Sequence, residues 1–253
     1  MVEFRNVTAG YGGAPVRKDV SLTLPAGSFT AIIGPNGSGK STLLKSILGL
    51  VPHVEGQILA GSEHTRSLSP AALAQRVAYL PQSRRVPQMT AGRLVLHGRF
   101  PWLGYPRRYR AADYAAARDA MARIGISELW DTPLETLSGG TRQKVYLAMA
   151  LAQDTPAILL DEPTSFLDIG CQLQIMELCQ NLARSGKAVA AGLHDLPLAL
   201  SHADRIILVS GGTVRAAGTP AQLLESDVIG AVFGVRVYAV TTPAGVQYVC
   251  GKE

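Results

Sequence analysis

The chain has 253 residues, of which 47% are hydrophobic and 17% charged, and its formal net charge is +5. This length and composition favour one globular domain with a subdomain and exclude a disordered or fibrous chain. No stretch approaches the roughly 20 consecutive apolar residues that a membrane helix needs. The N-terminus also lacks the basic, apolar and small-residue pattern of a secretory leader. We therefore expect a protein of the cytoplasm.

The positive charge is concentrated between residues 83 and 123. This segment carries nine arginines and two aspartates, so its net charge is +7 and that of the remaining chain is −2. The arginines are Arg84, Arg85, Arg93, Arg99, Arg107, Arg108, Arg110, Arg118 and Arg123. We expect the segment to lack both the interleaved aromatics and the fold motif of a nucleic-acid-binding module, and we therefore expect no nucleic-acid partner. A solvated basic face near anionic lipid headgroups is the interpretation that we favour.

The first 82 residues predict a small antiparallel sheet, followed by the start of a parallel one. In chain order, the predicted elements are strands at Val2–Thr8, Val20–Leu24 and Thr30–Ile33, a helix over Ser41–Leu50, and a strand at Val77–Leu80. The first two strands alternate polar and apolar residues between Gly and Pro. Pro52 follows the helix and is expected to stop it.

Residues 83–145 have helical periodicity broken by Gly and Pro, and they predict an inserted helical subdomain. Beyond it, the predicted elements are strands at Ala157–Leu160, Ala188–Leu193, Arg205–Val209 and Thr213–Val214, a helix from Thr219, and two strands within Gly234–Val249. We therefore divide a single domain, 1–253, into three parts. These are a core of 1–82 and 146–227, the helical subdomain 83–145, and a β extension 228–253.

A Gly-rich loop is the clearest chemical motif. Residues 34–41 match G-x-x-x-x-G-K-[ST], with a predicted strand before them and a helix after them. Glycines let backbone N–H groups converge on phosphate oxygens, and the helix N-terminus adds positive potential. Lys40 should reach the outer phosphates, and the Ser41 hydroxyl should bind Mg²⁺. The predicted nucleotide-binding residues here are Gly34, Asn36, Gly37, Ser38, Gly39, Lys40, Ser41 and Thr42.

Four polar side chains follow predicted strands that should end beside this loop. Asp161 ends an apolar strand, where its carboxylate can hold Mg²⁺. Glu162 points differently and can take a proton from an attacking water, a role worth about 10²–10⁴-fold in rate. Gln82 can bind the metal or that water, and His194 can contact the γ-phosphate. Singly, Gln82 or His194 would more often be an ordinary strand-end residue.

Two further elements point to nucleotide binding. Tyr11, in a Gly-flanked loop, either stacks on adenine or lies on the surface. Ser138, Gly139 and Gly140 form half of an anion site at the start of a predicted helix. If the helical subdomain projects away from the Gly-rich loop, a second chain has to complete this site.

These motifs, in this order, resemble the ATP-binding subunits of ABC transporters over nearly the whole chain. Residues 34–41 resemble the Walker A motif, and residues 157–162 resemble the Walker B motif. The signature motif is matched by residues 137–143, and the D-loop by residues 165–168, which include Asp168. Gln82 resembles the Q-loop residue, and His194 the switch histidine. The resemblance implies an α/β fold, namely a P-loop NTPase (RecA-like) core with an antiparallel β subdomain and an inserted α-helical subdomain.

The resemblance also implies ATP and Mg²⁺ as cofactors. Ser41, Gln82 and Asp161 would hold the metal, and Glu162, His194, Gln82 and Lys40 would be catalytic. Two copies would pack head to tail around two ATP molecules, each between Lys40 of one chain and Ser138 of the other.

The implied partners are integral membrane permease subunits and, indirectly, an extracytoplasmic substrate-binding protein. The chain itself would be peripheral on the cytoplasmic face of the inner membrane. Residues 98–101, 148–155 and 166–169 resemble the importer branch for ferric siderophores, haem and cobalamin. Thr141 and Phe166 depart from the residues usual at their motif positions. The alternative is a soluble, non-transport ABC ATPase that acts on a protein scaffold, as in iron–sulfur assembly.

Overall fold

Alternating strands and helices make up most of the chain. The computed structural model describes residues 1–11, 17–82, 86–165, 167–243 and 245–252. Its strands are β1 (Val2–Gly10), β2 (Arg17–Leu24), β3 (Ser28–Ile33), β4 (His53–Ala60), β5 (Glu63–His64), β6 (Val77–Leu80), β7 (Ala157–Asp161), β8 (Ala188–Gly192), β9 (Arg205–Ser210), β10 (Thr213–Gly218), β11 (Arg236–Thr242) and β12 (Gly245–Gly251). Its α-helices are α1 (Lys40–Ile47), α2 (Pro70–Ala74), α3 (Ala91–His97), α4 (Ala111–Ile124), α5 (Gly139–Ala152), α6 (Ile169–Arg184), α7 (Leu196–His202), α8 (Pro220–Glu225) and α9 (Val228–Phe233).

The central sheet has the strand order β10-β9-β3-β8-β7-β6. All neighbours from β9 to β6 are parallel, and β10 pairs antiparallel with β9. Every residue of β7 and β8 is buried, which explains how the alanine-rich β8 forms a strand despite its poor local propensity. Since parallel strands share a direction, the residues that follow β3, β6, β7 and β8 meet at one edge of the sheet. This edge carries the site.

A second sheet, in the order β2-β1-β4-β5, is antiparallel, as the sequence predicts. One core of buried apolar residues joins this sheet to α1 and to one face of the central sheet. Helix α1 ends at Ile47 rather than at the predicted Leu50. Gly49 adopts a left-handed conformation with φ of 67°, and this ends the helix before Pro52 is reached. The predicted α/β fold with an antiparallel β subdomain is confirmed.

Helices α3, α4 and α5 follow β6 and pack on one another around a second core. Gly92 of α3 touches the Trp130 ring so closely that a Cβ would overlap it. Helix α5 is continuous from Gly139 to Ala152, so the predicted boundary at residue 145 falls inside it. Across the ranges described above, none of the helices has the length and apolar character needed to cross a membrane.

The C-terminal segment combines a helix and a hairpin. Helix α9 occupies the start of the region for which the sequence analysis predicted only β structure. Strands β11 and β12 then pair antiparallel, as predicted for the tail, and β12 packs against α7. Helix α8 begins as predicted, because the Thr219 hydroxyl accepts a hydrogen bond from the Gln222 backbone N–H (3.3 Å) and caps the helix.

Candidate functional site

A cleft of about 900 Å³ opens at the edge where the parallel strands end. The residues on its walls come from the loop after β3, from the ends of β6, β7 and β8, and from α9. They are Gly34, Pro35, Asn36, Gly37, Gly39, Lys40, Ser41, Thr42, Gln82, Glu162, Ser165, His194 and Phe233. The structure therefore brings the Gly-rich loop together with Gln82, Glu162 and His194, which come from separate parts of the chain.

The Gly-rich loop is held in a tight turn between β3 and α1. A Cβ on Gly34 would overlap the carbonyl oxygen of Val209 in β9, so only glycine fits this approach. The Ser38 backbone N–H closes the turn with a hydrogen bond to the Pro35 carbonyl (3.1 Å). Helix α1 begins at Lys40, and its N-cap, Gly39, has no side chain that could cap it. Its first N–H groups are therefore available to an anion.

Two side chains of this loop fit a polyphosphate. Ser38 Oγ is buried, and among the described residues it has no hydrogen-bond partner. Such an atom normally has a partner, which a phosphate oxygen would supply. Lys40 is also buried, and its Nζ donates hydrogen bonds to the carbonyls of Gly34 (2.7 Å) and Pro35 (3.2 Å). The Lys40 cation thus lies at the carbonyls of the Gly-rich loop, and its contact with the outer phosphates stays a prediction.

Asp161 is almost fully buried and contacts Ser41, which lines the cleft. Its Oδ1 accepts a hydrogen bond from Ser41 Oγ (2.8 Å), and its Oδ2 accepts one from the Tyr79 hydroxyl (3.1 Å). A hydroxyl and a carboxylate in contact form an all-oxygen donor set, which suits Mg²⁺. Tyr79 was not predicted, because its role depends on the pairing of β6 with β7.

Glu162 has different hydrogen-bond partners from Asp161, although the two residues are adjacent at the strand end. Its φ of 52° is in the left-handed region, which turns the chain out of β7 and costs a non-glycine residue about 1–3 kcal/mol. Its Oε2 accepts hydrogen bonds from Gln82 Nε2 (2.7 Å) and from Ser165 Oγ (2.9 Å). Gln82 was predicted as a metal ligand or water ligand, and here its amide nitrogen binds the carboxylate.

His194 and Phe233 close the cleft on the side of β8. His194 is exposed and lies two residues after the end of β8. The next residue, Asp195, caps α7 by accepting a hydrogen bond from the Leu198 backbone N–H (2.8 Å). Phe233 is the last residue of α9 and reaches the cleft from the C-terminal segment. No motif marks Phe233 in the sequence, so only the packing of α9 places it here.

Other predicted site residues lie outside this cleft. Tyr11 has 51% of its surface exposed and is not among the residues lining the cleft. Ser138, Gly139 and Gly140 stand at the start of α5. There Ser138 Oγ accepts a hydrogen bond from the Thr141 backbone N–H (3.2 Å) and lies 2.9 Å from Thr141 Oγ1. The departure at Thr141 therefore adds a hydroxyl beside the signature serine.

Asp168, predicted to bind nucleotide, caps α6 instead of lining the cleft. Its Oδ1 accepts a hydrogen bond from the Cys171 backbone N–H (2.8 Å). This bond favours the ionised carboxylate and lowers the pKa of Asp168. Phe166, the second departure from the family pattern, lies outside the described residues.

Comparison with known proteins agrees with this geometry. The sequence matches the ABC transporter family over residues 17–165. It is 38% identical over 239 residues to the ferric enterobactin transport ATP-binding protein of Escherichia coli, covering 94% of this chain and 88% of that protein. It is 40% identical over 233 residues to the hemin import ATP-binding protein of Streptomyces coelicolor, covering 92% of this chain and 82% of that protein.

Among solved structures, the fold is similar to a dimeric ATP-binding cassette in a post-hydrolysis state bound to ADP and phosphate. The TM-score is 0.76 and the identity 29%, covering 87% of this chain and 99% of the other. These similarities confirm the predicted P-loop NTPase core. The chain therefore belongs to the ABC transporter family, as one of its ATP-binding, ATP-hydrolysing subunits.

Proposed function

We propose that the chain hydrolyses ATP in this cleft with Glu162 as the general base. The observation that carries this proposal is the pair of hydrogen bonds that Gln82 and Ser165 donate to Glu162 Oε2, which hold the carboxylate on the cleft wall. A base has to be held within hydrogen-bond reach of the water that it deprotonates. Lys40 would neutralise the outer phosphates, and His194 would contact the γ-phosphate from the opposite wall.

Ser41, Asp161 and Gln82 would hold Mg²⁺. When bound, the ion would neutralise charge on the phosphate oxygens of ATP. The contact of Ser41 Oγ with Asp161 Oδ1 supports this assignment, because it places two oxygen donors together beside the Gly-rich loop. Tyr79, through its hydroxyl, would fix the orientation of the Asp161 carboxylate.

A second copy of the chain would complete the ATP site. The signature residues Ser138, Gly139 and Gly140 are on the surface of α5, outside the cleft, so they are available to nucleotide held by another chain. The dimeric cassette with bound ADP and phosphate supports this assembly. Tyr11 and Asp168 would contribute at the edge of the nucleotide site.

The work of ATP hydrolysis would drive an importer. The relatives are named for transport of ferric enterobactin and import of hemin, which supports an iron chelate as the cargo, with cobalamin as the other member of the predicted group. The partners would be integral membrane permease subunits and, indirectly, an extracytoplasmic substrate-binding protein. The chain would sit on the cytoplasmic face of the inner membrane. These names favour transport over the alternative of a soluble scaffold-bound ATPase.

The proposed division of labour follows the predicted parts of the chain. ATP would be bound by residues 1–82 and 146–227, and the signature motif would be carried by residues 83–145. The C-terminal residues 228–253 would hold His194, the proposed switch histidine, in position. The contact of β12 with α7, and the position of Phe233 on the cleft wall, support the last assignment.

The transport assignment is tested by purifying the tagged chain from its native membranes in mild detergent and identifying the proteins that accompany it. We expect a polytopic permease. Uptake of labelled ferric siderophore, haem and cobalamin, compared between cells with wild-type chain and cells with Glu162→Gln, then identifies the cargo. A soluble scaffold protein without any membrane protein would contradict the transport assignment and leave the ATPase chemistry intact.

A further inference from the structure

The loop between α3 and α4, residues 99–110, exposes aromatic rings together with arginines; we call it the aromatic–arginine loop. The exposed fraction is 44% for Phe100, 41% for Trp102 and 100% for Tyr105. Arg107, Arg108 and Arg110 are also exposed. The expectation that this segment lacks interleaved aromatics was wrong, because these three rings stand between Arg99 and Arg107.

The two ends of the loop are tied together by a largely buried ion pair. Arg99 Nε lies 3.2 Å from Asp113 Oδ1, and both side chains are at least 85% buried. Asp113 Oδ2 also accepts a hydrogen bond from the Arg110 backbone N–H (2.9 Å). Both oxygens of the Asp113 carboxylate are thus bound at the base of the loop, by Arg99 and by the Arg110 backbone N–H.

Two hydrogen bonds from the rest of the protein hold the loop at Pro101 and Trp102. The Trp102 indole N–H donates a hydrogen bond to the Gln153 carbonyl (2.7 Å), and Gln75 Nε2 donates one to the Pro101 carbonyl (2.7 Å). The polar atom of Trp102 therefore faces the protein, and the exposed part of this side chain is apolar ring. A side chain that is already held in place loses little conformational freedom when it binds a surface.

The arginines are free to bind an external anion. Arg107 Cζ lies 4.4 Å from the centre of the Phe100 ring, which keeps a cation beside an exposed aromatic group. Across the part of the chain that the structure describes, the ion pairs involve other residues, and none includes Arg107, Arg108 or Arg110. Arg84 and Arg85, predicted as part of the same basic segment, lie outside the described residues.

We propose that the aromatic–arginine loop binds the anionic headgroups of a membrane surface. Trp and Tyr concentrate at the interface between lipid and water, where an apolar ring and a polar edge are both satisfied. Arginines close to an anionic leaflet are attracted to it within about a Debye length. The loop supplies both groups on one anchored segment. It would thus give the ATPase subunit a lipid contact of its own, in addition to any permease.

The first experiment measures flotation of the purified chain with phosphatidylcholine vesicles, with and without phosphatidylglycerol, at low salt. We expect binding only to the anionic vesicles. The variant Arg107→Gln/Arg108→Gln/Arg110→Gln should bind on the order of 100-fold more weakly, since each arginine near the surface contributes about fivefold. The matched control, Arg123→Gln/Arg184→Gln/Arg215→Gln, removes the same charge from exposed positions elsewhere and should bind far more like the wild type.

The second experiment tests the rings. Tyr105→Ser removes a fully exposed ring and should weaken vesicle binding severalfold without changing the free energy of unfolding. The chain has two tryptophans, so Trp130→Phe leaves Trp102 as the single reporter. Brominated anionic lipid should then quench the Trp102 emission. ATP turnover of the arginine and tyrosine variants is expected to be unchanged, so these results are independent of the proposed catalytic roles.

Three outcomes would overturn the proposal. In the first, the wild-type chain fails to bind anionic vesicles, while the arginine variant still loses its permease during membrane purification; the loop is then a protein-docking surface. In the second, the arginine variant and the matched control lose vesicle binding equally, which indicates net charge alone. In the third, single-stranded RNA binds through these arginines and the vesicles do not.

Discussion

Gln82 Nε2 donates a 2.7 Å hydrogen bond to Glu162 Oε2, joining residues that lie 80 positions apart in the chain. Gln82 ends the segment after β6, and Glu162 follows β7, the neighbouring parallel strand. A shift of the loop that carries Gln82 would therefore move the proposed base or leave it less well held. The helical segment begins soon after Gln82, so the same residue connects that segment with the proposed catalytic carboxylate.

Gln82→Ala should lower kcat for ATP hydrolysis by about 10- to 100-fold, because a hydrogen bond to a charged group is worth about 1.5–3 kcal/mol. The KM for ATP should change little, since the Gly-rich loop is untouched. Ser165→Ala removes the other hydrogen bond to Glu162 Oε2 and should show the same pattern with a smaller loss. Steady-state kinetics of both variants check this. A raised KM with a normal kcat would place Gln82 in nucleotide binding instead.

Tyr79→Phe should raise the Mg²⁺ concentration needed for half-maximal ATPase activity by about tenfold. The hydroxyl orients Asp161 Oδ2, and loss of such an outer partner typically costs about 10–100-fold in metal affinity. The rate at saturating Mg²⁺ should remain close to that of the wild type. Tyr238→Phe, which alters an exposed tyrosine of β11, is the matched control. An unchanged Mg²⁺ dependence would remove Tyr79 from the metal site.

Stability should fall in alkaline solution because of Cys179. Burial raises the pKa of this thiol to about 12, whereas a cysteine in the unfolded chain has a pKa of about 8.5. Between these values the unfolded state binds fewer protons than the folded state, so the free energy of unfolding decreases as the pH rises. At pH values below the pKa of the unfolded-state thiol, the contribution of Cys179 to the free energy of unfolding is fully present. Urea unfolding near neutral pH and near pH 10 should show a smaller decrease for Cys179→Ala than for the wild type.

Thiol labelling gives an independent check on Cys179. Cys171 and Cys250 are partly exposed, whereas Cys179 is fully buried. In the native chain, a thiol-specific reagent should therefore modify Cys171 and Cys250 first, and Cys179 should react only on unfolding. Equal reactivity of all three cysteines in the folded protein would contradict the burial on which the alkaline prediction depends.

The parts of the site that could be predicted from the sequence are those whose functional residues are neighbours in the chain. Residues 34–41 are contiguous, and a strand before them and a helix after them fix what the loop can do. Strand β6 spans Val77–Leu80 as predicted, because a run of four apolar residues is followed at once by Pro81. Asp161 and Glu162 diverge because one is still in β7 and the other has left it.

The remaining parts of the site depend on tertiary packing that no local sequence pattern predicts. Helix α9 has six residues, Val-Ile-Gly-Ala-Val-Phe, which are apolar enough to resemble a strand and have no capping side chain at the start. Phe233 reaches the cleft only because this helix folds back against the core. In the same way, Tyr79 binds Asp161 only because β6 and β7 are neighbours. Such contacts between distant elements become visible only in the folded chain.

The most direct test of the central claim is Glu162→Gln. This substitution keeps the shape of the side chain and removes the base, so ATP should still bind while turnover falls by about 10²–10⁴-fold. Because ATP is then not consumed, two chains should remain associated around it. Sedimentation with ATP and Mg²⁺ should show a dimer for Glu162→Gln that is absent when Ser138→Phe is added to block the signature site. A Glu162→Gln chain that hydrolyses ATP at the wild-type rate would contradict the account.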